Sequence, residues 1–256
     1  MPELLEVEMY RRAAERTIGR TIVDVPLVDP RFGRRSPQLA AVLLGCVVVG
    51  VRRLGKVLLV DTDAPVLGLR FGMTGMLRVD DEGPIDGLAY GPCVRSTDYD
   101  RLRVAFDDGG TLVVEDARRF GSAELDPDLS ALGPDASTIT CTQLRLLLRG
   151  AAPIKAVLLD QARVAGLGNM LVDEILMRAG IDPARPASEL RDREVSSLHR
   201  AIGVALVELM AAGGSHAGQL SADRRRPGAT CPRDGAALLR RRIAGRTTYS
   251  CPKHQH

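Results

Sequence analysis

The sequence predicts an α+β chain of several domains: an N-terminal helix with an antiparallel β-sandwich or barrel, a helical domain, and a small C-terminal β-hairpin module. Three observations predict it. Apolar residues recur at helical spacing in the first 18 residues and again beyond residue 134, but alternate with period two in between. Turn residues punctuate the alternating region, and no helical pattern separates its strands. Two cysteine-led knuckles bracket the last segment.

The elements follow in order. Leu5, Met9 and Ala13 share one helical spacing, as do Tyr10, Ala14 and Ile18, and Gly19 is the expected stop. Glu3 and Glu6 fall in the first turn, where the helix dipole favours negative charge. From Ile22 to about Glu124 the pattern is β. Residues 47–53 and 57–61 flank a Leu54-Gly55-Lys56 turn, and Leu102/Val104/Phe106 alternate against Leu112/Val114 about a turn at residues 107–110. Composition shifts at Leu132-Gly133-Pro134. Helices are expected over residues 142–149, 154–159, 169–179 (stopped by Gly180) and 192–212, the last with Val195, Leu198, Ile202, Leu206 and Leu209 on one face. A Ser/Arg/Pro/Gly-rich linker over 216–228 leads to the cysteine-bracketed hairpin. The expected domains are 1–130, 131–215 and 216–256.

Composition narrows the class of function. The 256 residues are 45% hydrophobic and 26% charged, an ordinary globular balance that excludes a disordered or collagen-like chain. The longest uncharged apolar run, residues 39–51, is too short to span a bilayer, and no secretory signal opens the chain. A cytoplasmic protein is expected. Net charge is +3 but uneven: residues 216–256 carry +7, which leaves −4 on the rest. A basic end on a mildly acidic body suggests a polyanion contact, with a solvated tail as the alternative. Of the five cysteines, Cys46 and Cys141 lie in apolar stretches and are expected as buried thiols; Cys93 completes no framework.

Cys231-Pro232-Arg233-Asp234 and Cys251-Pro252-Lys253-His254 are knuckles 16 residues apart. Two knuckles around a hairpin are how a ribbon-type structural zinc site is built. One zinc held by Cys231, Asp234, Cys251 and His254 is expected, against a metal-free hairpin held by Leu238, Leu239, Ile243 and Tyr249. Either hairpin carries Arg240–Arg242 and Arg246, a phosphate-binding pattern. At the other end, Pro2 becomes a secondary amine once Met1 is removed, with an α-amino pKa near 8. Such an amine attacks a sugar or carbonyl carbon to form an iminium, with Glu3 beside it to move protons. A Met-Pro-Glu start is also an ordinary beginning.

Read together, the segments carry more. Pro2-Glu3-Leu4-Leu5-Glu6-Val7-Glu8, Arg53-Leu54-Gly55-Lys56, Gly72-Met73-Thr74-Gly75, Asp116-Ala117-Arg118-Arg119-Phe120-Gly121, Asp160-Gln161 with Val164-Ala165-Gly166-Leu167-Gly168-Asn169, and the terminal knuckles occur in one order. That series resembles the formamidopyrimidine-DNA glycosylase / endonuclease VIII family of base-excision repair enzymes. The resemblance implies a β-sandwich behind the N-terminal helix, a helix–two-turn–helix domain and a zinc-finger-like hairpin. It implies Pro2 as nucleophile at C1′ of a damaged nucleoside, Glu3 as proton donor, and Lys56 and Arg246 assisting elimination at phosphate. Met73, Arg118 and Phe120 would fill the hole left by a flipped nucleotide. Asn169 would contact phosphate, and Lys155 would lie near the pocket. The partner implied is damaged double-stranded DNA, bound by a monomer without a membrane or a catalytic cofactor.

Blander readings stand beside these. Met73 and Phe120 fit a core, Arg118 and Arg119 fit a surface network with Glu115 and Asp116, Asn169 fits a helix cap, and Lys56 fits a solvated turn. The chain also departs from the family pattern. Leu5 stands where a second proline is usual, Asp234 and His254 replace cysteines, and Tyr99 and Arg70 replace histidines. These departures motivate an alternative, a damaged-DNA-binding protein with little or no turnover on the same scaffold. Only 15 residues (216–230) join Ser215 to Cys231, too few for the long loop of 8-oxoguanine-specific members. Oxidised pyrimidines, ring-opened purines or abasic sites are therefore the expected substrates.

Overall fold

The N-terminal amphipathic pattern forms helix α1 (Leu4–Ala14), prolonged by a 3-10 turn over Glu15–Thr17 and stopped by Gly19 at φ +87°. The computed structural model describes residues 2–88, 91 and 94–256, so Met1 and Cys93 lie outside the described residues. The chain forms two units, Met1–Leu129 and Ser130–His256.

The first unit is a sandwich of two four-stranded antiparallel sheets. One sheet has the order β1-β6-β7-β5, from Ile22–Val28, Asp100–Phe106, Thr111–Glu115 and Met76–Val79. The other runs β2-β3-β4-β8, from Val48–Leu54, Val57–Thr62, Val66–Arg70 and Ser122–Leu125. The two predicted hairpins are in register: Leu54 opposes Val57, and Val104 opposes Leu112. Alternation puts Leu58, Val60, Leu67 and Leu69 of one sheet in a common core with Leu77, Leu102, Val104 and Leu112 of the other. Helix α1 adds Val7, Tyr10 and Ala14 to this core.

One stretch expected as strand is helical. Helix α2 (Leu39–Leu43) interrupts the β region, because Leu39 and Leu43 at i, i+4 both reach the core while Val42 and Leu44 stay exposed. The long apolar run thus divides into a helix, a Gly45 turn at φ +83° and the start of β2.

In the second unit, α3 (Cys141–Leu147), α4 (Ile154–Leu159), α5 (Asn169–Ala179) and α6 (Asp192–Ala211) precede a hairpin of β9 (Leu239–Ile243) and β10 (Arg246–Ser250). The predicted face of α6 is buried from Val195 to Leu209. Ala244 and Gly245, both at positive φ, make the two-residue turn whose twist suits a hairpin. Two expectations need correction. Cys141 is only partly buried, since Leu144 alone carries α3 into the core. Leu239 is 43% exposed and does not hold the hairpin. The 216–228 linker is largely exposed but is anchored at Leu220, which packs with Met177, Cys231, Tyr249 and Cys251, and whose N–H donates to Glu174 at 3.1 Å. Among the described residues no helix is long and apolar enough to cross a membrane.

Asp80, at the turn after β5, fastens the exit of α1 to the sandwich. Its carboxylate accepts from Arg20 at 2.8 Å, Arg16 at 3.1 Å and the Thr111 N–H at 3.0 Å. The Arg20 hydrogen bond is the main reason that its pKa falls to about 2. A carboxylate depressed in the folded state contributes stability above its unfolded pKa and loses it as pH falls through the folded value. The Asp80 contribution is therefore present at neutral pH and disappears from about pH 4 down to about pH 2. Melting curves across that window should show a shallower acid decline for Asp80→Asn than for the parent protein; parallel declines would show that Asp80 carries none of it.

Candidate active site and nucleic-acid interface

Pro2 and Glu3 are both buried at the start of α1. Glu3 is the N-cap and forms a capping box with Glu6, whose carboxylate accepts the Glu3 N–H at 2.8 Å. Leu5 is 1% exposed, so the first turn is ordered by its cap and by burial. The same helix anchors the neighbouring turns. Arg53 donates to Glu8 on α1 at 3.3 Å and to the Gly55 carbonyl at 2.9 Å, which ties the turn bearing half-buried Lys56 to the helix. The Tyr10 hydroxyl donates to the Gly75 carbonyl at 3.1 Å, which holds the end of the 72–75 loop.

The loops bearing Met73, Arg118 and Phe120 are joined by Asp116, whose role sequence reasoning missed. Asp116 is fully buried. One carboxylate oxygen accepts from the Thr74 hydroxyl at 2.5 Å and the Arg118 N–H at 3.2 Å; the other accepts from the N–H groups of Phe120 at 2.8 Å and Gly121 at 2.7 Å. The loops then sit so close that a Cβ on Gly72 would lie 2.5 Å from the Phe120 carbonyl carbon. Arg119 takes a left-handed φ of +55° and pairs with Asp29 at 3.3 Å. Its neighbours turn outward: Phe120 is 59% exposed, and the Arg118 guanidinium lies 5.0 Å from the Phe120 ring centre. An exposed phenylalanine stacked under arginine is no core residue. Met73 is half-buried. Arg70 ends β4, and Tyr99 closes a 3-10 turn where its carbonyl accepts the Asp116 N–H at 2.7 Å.

In the second unit, the Thr247 carbonyl joins the predicted phosphate contacts. Asn169, the first residue of α5, donates to it at 3.1 Å, and Thr247 directly follows exposed Arg246. Gln161 shapes the loop before α5, donating to the Leu159 and Leu167 carbonyls at 2.9 Å and accepting the Gly166 N–H at 3.0 Å. Lys155 lies inside the unit. It is fully buried and pairs with Asp173 at 2.6 Å, because an ammonium taken out of water needs an anionic partner.

Cys231, Asp234, Cys251 and His254 converge at the base of the hairpin, with their ligand atoms within 4.8 Å of one another. Two backbone N–H groups, of Arg233 and Lys253, point at the Cys231 and Cys251 sulfurs at 3.4 Å, as they do in metal knuckles that stabilise thiolates. His254 turns Nδ1 inward, 2.9 Å from Asp234, and holds that carboxyl well below the usual carboxylate range. Two soft sulfurs, an imidazole and one ionised oxygen fit a tetrahedral divalent cation of the zinc type.

Removing Asp116 leaves buried donors on two loops without an acceptor. Asp116→Ala should cost about 3–5 kcal/mol of unfolding free energy in a denaturant titration. Thr74→Ala, which removes one donor, should cost about 1 kcal/mol. A loss near 1 kcal/mol for both would show that the loops hold together without the carboxylate.

Comparison with known proteins places this geometry. Residues 1–123 match the formamidopyrimidine-DNA glycosylase N-terminal domain, and residues 131–220 match its H2TH domain. The chain is 35% identical to the formamidopyrimidine-DNA glycosylase of Geobacillus kaustophilus over the full length of both proteins. It is 36% identical to that of Paracoccus denitrificans, across 98% of this chain and 99% of the relative. Among solved structures, wild-type Lactococcus lactis Fpg (MutM) with an oxidized-pyrimidine DNA aligns over all of both chains at 30% identity and a TM-score of 0.83. The Lactococcus lactis Fpg complex with abasic-site DNA aligns over 99% of each chain at 29% identity and 0.82. With the capped N-terminal helix, the two loops locked by Asp116 and the four-ligand hairpin, the chain belongs to the formamidopyrimidine-DNA glycosylase / endonuclease VIII family of DNA glycosylases.

Proposed function

We propose that the protein is a base-excision repair glycosylase with abasic-site lyase activity, acting on damaged double-stranded DNA through the N-terminal amine of Pro2. The observation that carries this reading is the capped start of α1, which holds Pro2 and Glu3 together in an ordered first turn. With Met1 removed, the Pro2 nitrogen attacks C1′, the glycosidic bond breaks, and Glu3 supplies the proton needed as the sugar ring opens. The resulting iminium acidifies the C2′ hydrogen. Its loss expels the 3′ phosphate, and a second elimination expels the 5′ phosphate, with Lys56 near the sugar-phosphate and Arg246 on phosphate.

Met73, Arg118 and Phe120 insert where the flipped nucleotide leaves the stack, offsetting some of an unstacking cost of a few kcal/mol. Asn169 and Arg246 grip phosphate. The relatives' bound DNAs, with an oxidized pyrimidine, a Fapy-dG or an abasic site, support damaged duplex as the substrate class. The short 216–230 segment, fastened through Leu220 and Arg225, supports a preference for oxidised pyrimidines, ring-opened purines or abasic sites over 8-oxoguanine. The cysteine-led cluster would hold one zinc ion, whose part is to fix the hairpin base.

Borohydride trapping on a duplex with one abasic site tests the chemistry. Wild type should give a covalent complex, an N-terminal extension should abolish it, and Glu3→Gln should slow base release about 100-fold. Trapping that survives the extension would remove Pro2 as nucleophile. No trapping by DNA-bound, Met1-free protein would favour the binding-only alternative. For the metal, elemental measurement should find one zinc per chain, and chelation should lower the melting temperature. A metal-free protein with an unchanged melt would exclude the structural zinc.

A further inference from the structure

Arg225 is the one guanidinium of the 216–228 segment that the structure takes inside. Its side chain is only 6% exposed. One terminal nitrogen reaches Asp173 at 2.6 Å and the Thr247 carbonyl at 3.3 Å. The guanidinium lies 5.2 Å from the Tyr249 ring centre, and the Tyr249 hydroxyl donates to the Arg225 carbonyl at 2.8 Å. Side chain and backbone are therefore both clamped to β10.

Neutralising Asp173 does not explain this clamp. Asp173 is fully buried and already pairs with Lys155 at 2.6 Å, so a second cation gives one carboxylate two positive partners. Burying the surplus charge is unfavourable unless an uncharged acceptor takes part of it. That acceptor is the Thr247 carbonyl, which gathers Arg225, Asn169 and, at 3.5 Å, Lys155. Thr247 is the residue after Arg246, two positions beyond the hairpin turn. The contact that only Arg225 adds from the linker thus fixes the backbone from which Arg246 projects, beside Asn169.

We propose that Arg225 is a positioning residue for the phosphate grip of Asn169 and Arg246, acting through the Thr247 carbonyl. The proposal rests on the reading of Arg246 as a phosphate contact. A lysine at this position keeps the charge but loses the flat guanidinium that lies on Tyr249 while its one terminal nitrogen meets both Asp173 and the Thr247 carbonyl. Arg225→Lys therefore separates position from charge.

The test is a mutant cycle on the full-length, zinc-loaded protein, with a duplex carrying one tetrahydrofuran abasic analogue as the binding probe. Affinity is measured over a salt series for wild type, R225K, R246A and the double variant, beside zinc content and melting temperature. R225K should bind about tenfold more weakly, and its log-affinity against log-salt slope should fall by about 1. The double variant should bind no more weakly than R246A alone, because both losses pass through one side chain. Full affinity in R225K, or losses that multiply in the double variant, would overturn the positioning role while leaving Arg246 as a phosphate contact. Full affinity in R246A would instead remove the finger from the phosphate grip, and the proposal with it. If R225K does not fold, Arg225→Met replaces it in the cycle, since it keeps a long side chain beside Tyr249, cannot donate to the Thr247 carbonyl, and leaves Asp173 paired with Lys155; the same outcomes decide.

Discussion

A carboxylate withdrawn from water must be given donors, and the donors must come from wherever the fold can supply them. Each unit of this protein organises its outward-facing loops around one such aspartate. Asp116 takes four donors from the 72–75 and 116–121 loops, and Asp173 takes Lys155 from α4 and Arg225 from the segment after α6. The exposed Phe120 and Arg118 depend on a residue that no ligand would touch. This arrangement lets Phe120 and Arg118 stay exposed on loops that are fixed from within.

Holding those loops has a local cost. Arg119 sits at a left-handed φ that costs an L-residue roughly 1–2 kcal/mol. The geometry follows from its neighbours: Arg118 and Phe120 both donate backbone N–H groups to Asp116 while their side chains face away. Satisfying one inward carboxylate with alternate backbone groups forces the residue between them to reverse. The Asp29 pair and the Asp116 bonds offset the strain. The outward pairing of arginine on phenylalanine is therefore a consequence of how Asp116 is satisfied.

The regular elements were legible from periodicity because their burial is local. Residues 154–159 and 169–179 are helices with the bounds their patterns imply, and both β-hairpins keep the register of their turns. The resemblance supplied most of the candidate site, since its motifs lie in short contiguous runs. What stayed hidden depends on partners far apart in the chain. Thr74 and Asp116 are 42 positions apart, and Asp173 and Arg225 are 52 apart. A lone charged residue names no partner, so Lys155 was placed near the pocket by resemblance alone and Arg225 read as part of a linker. Helix α2 escaped for a different reason: five residues give too few turns for a 3.6-residue period to stand out from a strand.

The hairpin shows why polar anchors carry so much of this structure. A two-stranded hairpin is marginal alone, and its buried apolar cluster is small: Met177, Leu220, Cys231, Tyr249 and Cys251. It needs holding at both ends. At the base, the knuckles place Cys231 and Asp234 before β9 and Cys251 and His254 after β10, so one metal ion would close the open end of the ribbon. Arg241 adds a pair with Asp182, and the Gln255 amide donates to the Ile181 carbonyl at 2.9 Å. Toward the tip, the Thr247 carbonyl is held by Asn169 and Arg225 over Asp173. These anchors act on different residues of the same strands. The base sets whether the ribbon exists as a folded element, and the Asp173 cluster sets where its arginine points. Asp234 and His254, in place of two cysteines, alter the base alone, which is why a divergent knuckle is compatible with an intact arginine-bearing tip.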